Sequence, residues 1–372
     1  MIIAFNTEPF LEEKLTGNDF IVEILGRIIK ANPQHTFIVI SASELHTSFN
    51  HNGNIVNAII GSRKKNILQR FFWYTLKINK ILKKYKADIF ISYNSGCLTT
   101  SIPQFIIIPD TAFVNSPQSF KKSHLLFYKI FIPKWLNKSE GVITVSESCK
   151  EDIINQFKID CAKISVVYEG INERFLEISD EEKVNVKSKY SDGYEYFLYS
   201  GYIGTNKNLL NVFKAFSAFK KRQKSNMQLI IAGNEGWKYK DVIESLRLFK
   251  FKNDVKVLND ISSCELIKIV ACAYAFVYPS RYEAFPREVL QAMKAGVPVV
   301  ISSIDVMHEV CADAALYVNA ENFKELAVKM MLLFKDENIR KSLIEKGNEH
   351  AKKFTWNLAA GLLWKAINIE NG

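Results

Sequence analysis

The chain has 372 residues, 48% of them hydrophobic and 24% charged, a composition that excludes a disordered or fibrous protein and, at this length, predicts two cores rather than one. Its longest apolar runs, such as "FIIIP" and "IVACAYAFVYP", fall short of the ~20 residues a spanning helix needs, and six scattered cysteines without a C-x-x-C pair exclude a zinc site and a disulfide framework. The formal net charge of +10 is local rather than uniform.

The opening "MIIAFN" reads as a β-strand; it lacks the basic region and long apolar stretch of a leader, so the expected compartment is the cytoplasm. Next, Thr16, Gly17, Asn18 and Asp19 precede an amphipathic pattern at a strand-to-helix turn, with Asn18 or Asp19 as the candidate N-cap. Further strands are predicted at "TFIVIS", "DIFISY", "FIIIP", "GVITVS" and "ISVVY", with helical stretches between them. Two of those stretches are basic and aromatic. Residues 63–86 hold nine Lys or Arg and no acid, interleaved with Phe71, Phe72, Trp73 and Tyr74, and residues 120–138 have the same character. They read either as amphipathic helices whose rings pack on a core while the lysines stay solvated, or as a contact for anionic lipid headgroups or a lipid-linked phosphate. No nucleic-acid-binding motif accompanies the charge, so nucleic acid is not an expected partner.

Around 172–195 the chain turns polar and loses its strands, which predicts a linker. A second series follows at "YFLYSG", "QLIIAG", "VKVLN", "AFVYPS", "PVVIS" and "ALYVN". Strands alternating with helices imply parallel sheets covered on both faces, with ligands beyond the carboxyl ends of the strands. The predicted fold class is α/β: two Rossmann-like domains, 1–175 and 190–355, with parallel sheets facing a central cleft, and a closing segment at 356–372.

Two turns of the second half carry chemistry. "SGYIGTNKNLL" (200–210) is a strand end with Gly201 and Gly204, then Lys207 ahead of a helix. Glycines that let backbone approach, a helix N-terminus and a lysine suit a diphosphate. The turn has neither Walker spacing nor G-x-G-x-x-G, so neither an ATPase loop nor a nicotinamide site is indicated. "SRYEAFPREVLQAM" (280–293) places Glu283 on the loop ahead of a helix predicted over 286–295, with Pro286 at its first position and Gly296 just past its end. Glu288 suits the positive helix end with or without a ligand. Gln291 falls on the same face as Glu288, opposite the Val289, Leu290 and Met293 side.

These turns, with "GNDFIVEILGRIIKANPQHTFIVIS", "IIIPDTAFVNSPQSF", "GVITVSESCKEDIINQF", "LIIAGNEGW", "AFVYPSRYEAFPREVLQAMKAGVPVVIS" and the closing "AKKFTW", run collinear with one family. The chain resembles the family-4 glycosyltransferases of the GT-B fold, and within them the bacterial mannosyltransferase-like branch that builds surface polysaccharides. The resemblance implies that Glu283 is the first acid of an E-x7-E signature, lying against the donor sugar, and that Gln291 stands at the second, which holds the ribose. It gives Lys207 to the diphosphate, Gly17 to the glycine-rich first loop beside it, and Asp110 to the acceptor side near the reacting sugar carbon. Gly201, Arg287 and Gly233 are further donor-binding candidates. Trp356 opens a final helix that in this fold crosses back to the first domain. The chain departs from the family pattern at Gln291, a neutral acceptor, at Tyr202 where an Arg is usual, at Pro109 where a His is usual, and at His308 in place of a common Pro.

What the resemblance implies is retaining transfer of a hexose, with mannose the sugar of that branch, from a GDP- or UDP-linked nucleotide sugar to a hydroxyl of a lipid-linked or growing surface glycan. A departing diphosphate needs positive potential, which Lys207 and helix N-termini supply. No D-x-D motif is visible, so no metal and no cofactor are expected. The patches at 63–86 and 120–138 would hold the protein peripherally at the cytoplasmic face of the inner membrane. Two readings compete: a non-catalytic nucleotide-binding partner of the same fold, motivated by Pro109, Tyr202 and Gln291, and another enzyme of that fold such as a sugar-nucleotide epimerase or an α-glucan synthase.

Overall fold

The computed structural model describes residues 1–7, 18–41, 54–61, 67–236 and 239–367, and the chain divides into two units, Met1–Gly170 with Trp356–Gly372, and Ile171–Thr355. In the first unit β1 (Ile2–Asn6), β2 (Thr36–Ser41), β3 (Ile55–Ile59), β4 (Ile89–Tyr93), β5 (Gln104–Ile108), β6 (Gly141–Thr144) and β7 (Ile164–Val166) form one sheet in the order β3-β2-β1-β4-β5-β6-β7. Every neighbouring pair is parallel. Each position of β4 and β5 is buried, as the unbroken apolar runs of a sheet covered on both faces require. β3 was not among the strands expected from the sequence. It is an edge strand, mostly half-exposed, and its apolar run is broken by Asn57, whose Oδ1 accepts from Ser41 Oγ at 2.9 Å.

Helix α1 (Asn18–Ala31) already contains both Asn18 and Asp19, so neither is the cap expected of them. The turn carrying Gly17 lies outside the described residues. Helices α2 (Ile67–Lys84) and α3 (Lys122–Lys138) are the two basic segments. They meet through rings: Phe71 of α2 lies 4.2 Å from Phe131 and 6.1 Å from Phe127 of α3.

The second unit holds β8 (Tyr196–Ser200), β9 (Gln228–Ala232), β10 (Val255–Leu258), β11 (Ala275–Tyr278), β12 (Val299–Ser302) and β13 (Leu316–Val318), again all parallel, in the order β10-β9-β8-β11-β12-β13. Helices α4 (Leu209–Gln223) and α5 (Arg287–Lys294) follow β8 and β11. The polar stretch expected to be a linker instead carries a helix, Asp180–Ser191, capped by the Ser179 side chain. It belongs to the second unit, and its only buried residues are Val186 and Ser191, which is why it shows no apolar periodicity. The division between units falls at Gly170, short of 175. A Cβ at Gly170 would sit 2.4 Å from the backbone nitrogen of Trp356, so only glycine allows the outgoing and returning chains to lie together. Helix α6 (Trp356–Ile367) returns to the first unit and packs on α1, with Trp356 edge-on to Phe20 and Asn357 accepting from Arg27 Nε at 2.8 Å.

In each sheet the strand order reverses between two central neighbours, β1 and β4 in the first, β8 and β11 in the second. The loops leaving those strands part to opposite sides, and the crevice between them is where open parallel sheets bind ligands.

Candidate active site

β8 and β11 pair only over Phe197–Leu198 and Ala275–Phe276, yet the loops that leave them converge. Lys207 ends a short turn of 3-10 helix just ahead of α4, and Glu283 lies on the loop between β11 and α5, 8% exposed. Lys207 Nζ donates to Glu283 Oε1 at 2.5 Å and to Tyr278 Oη at 3.1 Å. Two further contacts clamp the loops: Arg281 N donates to Asn206 O at 3.2 Å, and Asn208, in left-handed backbone at φ 60, donates to Pro279 O at 3.0 Å; Asn208 also donates to Ala320 O at 2.6 Å, beyond β13. Asparagine tolerates that conformation better than most residues.

Burial holds the Glu283 carboxyl above the usual carboxylate range; Lys207 pulls it back down and Glu288 adds to the rise. Beneath the pair, Tyr199 and Tyr278 are buried and stacked, 5.4 Å between centroids and 12° between planes. Burial first, then the negative charge of Glu283 and Glu288, pushes both phenols well above their ordinary value, so they remain neutral. Tyr199 Oη donates to Tyr202 O at 2.7 Å. A Cβ on Gly201 would sit 3.5 Å from Tyr199 Oη and 3.6 Å from Tyr278 Oη, so both hydroxyls converge under the glycine loop. Reasoning from sequence missed Tyr199, Tyr278 and Asn208. The two tyrosines sit inside apolar strands and look like core; the signal available was a hydroxyl in each of two adjacent strand ends.

Gly233 has a packing role. Its φ is +152 and a Cβ there would meet Gly201 O at 1.8 Å, so the end of β9 lies directly against the Gly201 loop. Pro286 is the cap of α5 rather than its first residue, at φ −84 and ψ 59, because the Glu283 loop enters with non-helical backbone; the helix is Arg287–Lys294 and not 286–295. Arg287 opens it, its N–H on Phe285 O at 3.0 Å. Glu288 and Gln291 are half-buried on the side away from Val289, Leu290, Ala292 and Met293. Lys207, Gly201 and Glu283 are thus brought together, with Gly233 behind them and Arg287 and Gln291 on the adjoining helix.

Asp110 belongs to the first unit, on the loop after β5. It is exposed, and its Oδ1 accepts from Ala112 N at 2.6 Å. The neighbouring Thr111 is buried and donates to Asp152 Oδ2 at 2.6 Å. At the β1/β4 reversal, Asn6 Nδ2 donates to Tyr74 Oη at 2.7 Å, and Tyr74 Oη shares a 2.7 Å hydrogen bond with Ser95. Burial pushes the Tyr74 hydroxyl up to about 12, so this network, which ties α2 to the strand ends, stays uncharged. Among the described residues no three His, Cys, Asp or Glu side chains come together as a metal-binding group.

Two Rossmann-like units, with an ammonium–carboxylate pair at the reversal of the second sheet, have the fold of the GT-B glycosyltransferases. Residues 22–175 match the family model described as Glycosyltransferase Family 4, and residues 180–350 match that described as Glycosyl transferases group 1; the chain belongs to the family-4 glycosyltransferases. It is 25% identical over 248 residues to O-antigen chain mannosyltransferase B of Escherichia coli, covering 66% of this chain and 65% of that protein. It is 27% identical over 273 residues to O-antigen chain mannosyltransferase RfbU of Salmonella typhimurium, covering 73% and 72%. The chain therefore spans roughly two thirds of the length of these relatives. Among solved structures, WaaG, a glycosyltransferase involved in lipopolysaccharide biosynthesis, superposes with a TM-score of 0.76 at 13% identity over 100% of both chains. HepE of Anabaena in complex with UDP and glucose gives 0.76 at 15% identity over 98% of each. Identities this low speak for the fold.

Proposed function

We propose that the protein transfers a hexose, mannose in the first instance, from a nucleoside diphosphate sugar to a hydroxyl of a lipid-linked or growing surface glycan, with retention at the anomeric carbon. The observation that carries this is the Lys207–Glu283 pair, held by two loops at the reversal point of a parallel sheet. Lys207, beside the start of α4, supplies positive potential for the diphosphate as the glycosidic C–O bond breaks and its electron pair leaves with the phosphate oxygen. Glu283 holds the sugar hydroxyls, Gln291 the ribose, and Gly201 and Arg287 border the donor. The acceptor oxygen bonds to the anomeric carbon and its proton passes to Asp110. Lys207 takes the place of a divalent cation, so chelation leaves the rate unchanged. The relatives named as O-antigen mannosyltransferases support mannose and a glycan acceptor, and HepE, crystallised with UDP and glucose, supports a nucleotide-linked donor.

The acceptor reading is joined by the first unit's surface. Among the described residues no helix is long and apolar enough to cross a membrane, but Phe72 and Leu76 of α2 and Leu126 and Ile130 of α3 are exposed among lysines. An exposed apolar strip within a basic field suits an anionic lipid surface, which would place the enzyme beside a lipid-linked acceptor.

The test is a thermal-shift panel of GDP, UDP, dTDP, CDP and ADP with wild type and Lys207→Ala, followed by sugar transfer to lipid-linked acceptors. A nucleotide at ~100 times its Kd stabilises by about 2.7 kcal/mol. One nucleotide that shifts the wild type and not the variant, followed by transfer with retention, supports the proposal. Binding without transfer favours the non-catalytic reading that Pro109, Tyr202 and Gln291 motivate, and no shift at all overturns both.

A further inference from the structure

The two stacked tyrosines under the ion pair need an account. Packing alone does not require their hydroxyls: phenylalanine fills the comparable positions Phe197 and Phe276 in the same two strands. A buried hydroxyl is costly unless it is hydrogen-bonded. The Tyr199 hydroxyl is engaged by the Tyr202 carbonyl. That of Tyr278 accepts from Lys207 Nζ at 3.1 Å, while the ammonium also lies 5.4 Å from the centre of the Tyr278 ring. An ammonium has three N–H directions. Two acceptors at fixed places, Glu283 Oε1 and Tyr278 Oη, set the orientation of the Lys207 ammonium.

Resting on the donor reading above, we infer that Tyr278 is a positioning residue for the diphosphate: its hydroxyl and Glu283 together fix the direction in which Lys207 presents its ammonium to the ligand's phosphates. Tyr278 touches no ligand in this scheme and acts only through Lys207. Its position is rigid. The ring stacks on Tyr199, the strand is fully buried, and the hydroxyl lies against the floor of the Gly201 loop. A lysine on a flexible stem is otherwise free to pivot, so a fixed second acceptor converts a general positive charge into an aimed one.

The test separates aim from packing. Tyr278→Phe keeps the ring, so the melting temperature reports whether the stack survives. Affinities of the purified full chain for a nucleoside diphosphate and for the matching nucleoside are then compared by calorimetry, using GDP with guanosine or UDP with uridine according to which base the wild type binds. The expected result is a diphosphate Kd raised about five- to tenfold with the nucleoside Kd changed less than about twofold. Because Tyr278 works through Lys207, adding Tyr278→Phe to Lys207→Ala should cost nothing further. Lys207→Arg provides a second route that leaves Tyr278 intact. A planar guanidinium does not fit between the same two acceptors, so it should also lose diphosphate affinity although the charge remains. Equal weakening of nucleoside and diphosphate, an unchanged diphosphate Kd in Tyr278→Phe, full affinity in Lys207→Arg, or additive losses in the double variant would each overturn the inference while leaving the donor reading intact. A wild type that binds no nucleotide removes the donor reading itself.

Discussion

Lys207 and Glu283 stand 76 positions apart in the chain and 2.5 Å apart in space, Nζ to Oε1. They meet because the sheet order places β8 beside β11, although three strands and their crossovers separate the two loops in sequence. Glu283 is the more buried partner, at 8% side-chain exposure against 20% for Lys207. Removing the lysine therefore strands a carboxylate in a poorly solvated place. Lys207→Ala should destabilise the second unit by about 3 kcal/mol near pH 8, the low end for breaking a buried pair. The loss should shrink as the pH is lowered, because Glu283, whose carboxyl burial holds above the usual range, takes up a proton instead. Urea unfolding across a pH series checks this, and equal losses throughout would sink it.

Glu283 itself sets a second pH dependence. Its folded-state value is raised, by burial before anything else. Between the ordinary glutamate value of about 4.3 and that raised one, the folded chain holds a proton that the unfolded chain has released. Stability from this group is therefore complete below the ordinary value and declines as pH rises through the raised one. Glu283→Gln should flatten that decline, so that wild type and variant diverge in slope above the ordinary glutamate value in a series of denaturation curves. Parallel curves would mean that Glu283 is an ordinary carboxylate.

Gly233 gives a sharper structural prediction. At φ +152 and with Gly201 O only 1.8 Å from where a Cβ would stand, alanine is both strained and blocked. Gly233→Ala should cost at least about 2 kcal/mol and displace the Gly201 loop, so nucleotide binding falls with stability. Gly361, in α6, has nothing within 4 Å of its would-be Cβ. Gly361→Ala should stabilise the first unit by roughly 0.5–1 kcal/mol through helix propensity alone. Similar destabilisation by both substitutions, measured by chemical denaturation, would contradict this account.

The parallel sheets were legible because strands buried on both faces leave unbroken apolar runs, as in Phe197–Leu198 and Leu229–Ile231. β3 was not, since Asn57 interrupts it at a sheet edge, and neither was the helix Asp180–Ser191, which buries only Val186 and Ser191. Glu283 and Lys207 could be found from turn chemistry, lying between a strand and a helix with Pro286 and Gly201 as punctuation. That they face each other could not, because the pairing depends on which strands become neighbours. For the same reason Tyr278 was unreadable as anything but core. Its hydroxyl acquires meaning only when a lysine from another loop reaches it.

The basic face of the first unit supplies the last prediction. Phe71 and Tyr74 are buried while Phe72 and Leu76 are 63% and 67% exposed, and on α3 Phe127 is buried while Leu126 and Ile130 are 60% and 42% exposed. Each helix thus divides its apolar residues between the shared aromatic core and the solvent. The exposed ones are flanked by Lys77, Lys80, Lys83 and Lys84 on α2 and by Lys129 and Lys134 on α3. On an anionic bilayer each lysine near the surface adds about 1 kcal/mol, and each inserted apolar side chain roughly 1.5–3 kcal/mol if fully buried. Sedimentation with phosphatidylcholine vesicles should therefore show little binding, and vesicles containing phosphatidylglycerol should retain the protein. Phe72→Ser with Leu76→Ser should weaken retention more than tenfold without changing nucleotide affinity, since α2 belongs to the first unit and Lys207 to the second. Raising salt to roughly 0.5 M should weaken the wild type as well, because the lysines are screened. Retention that ignores lipid charge, or that survives loss of both apolar side chains, would show these helices to be a solvated face and nothing more.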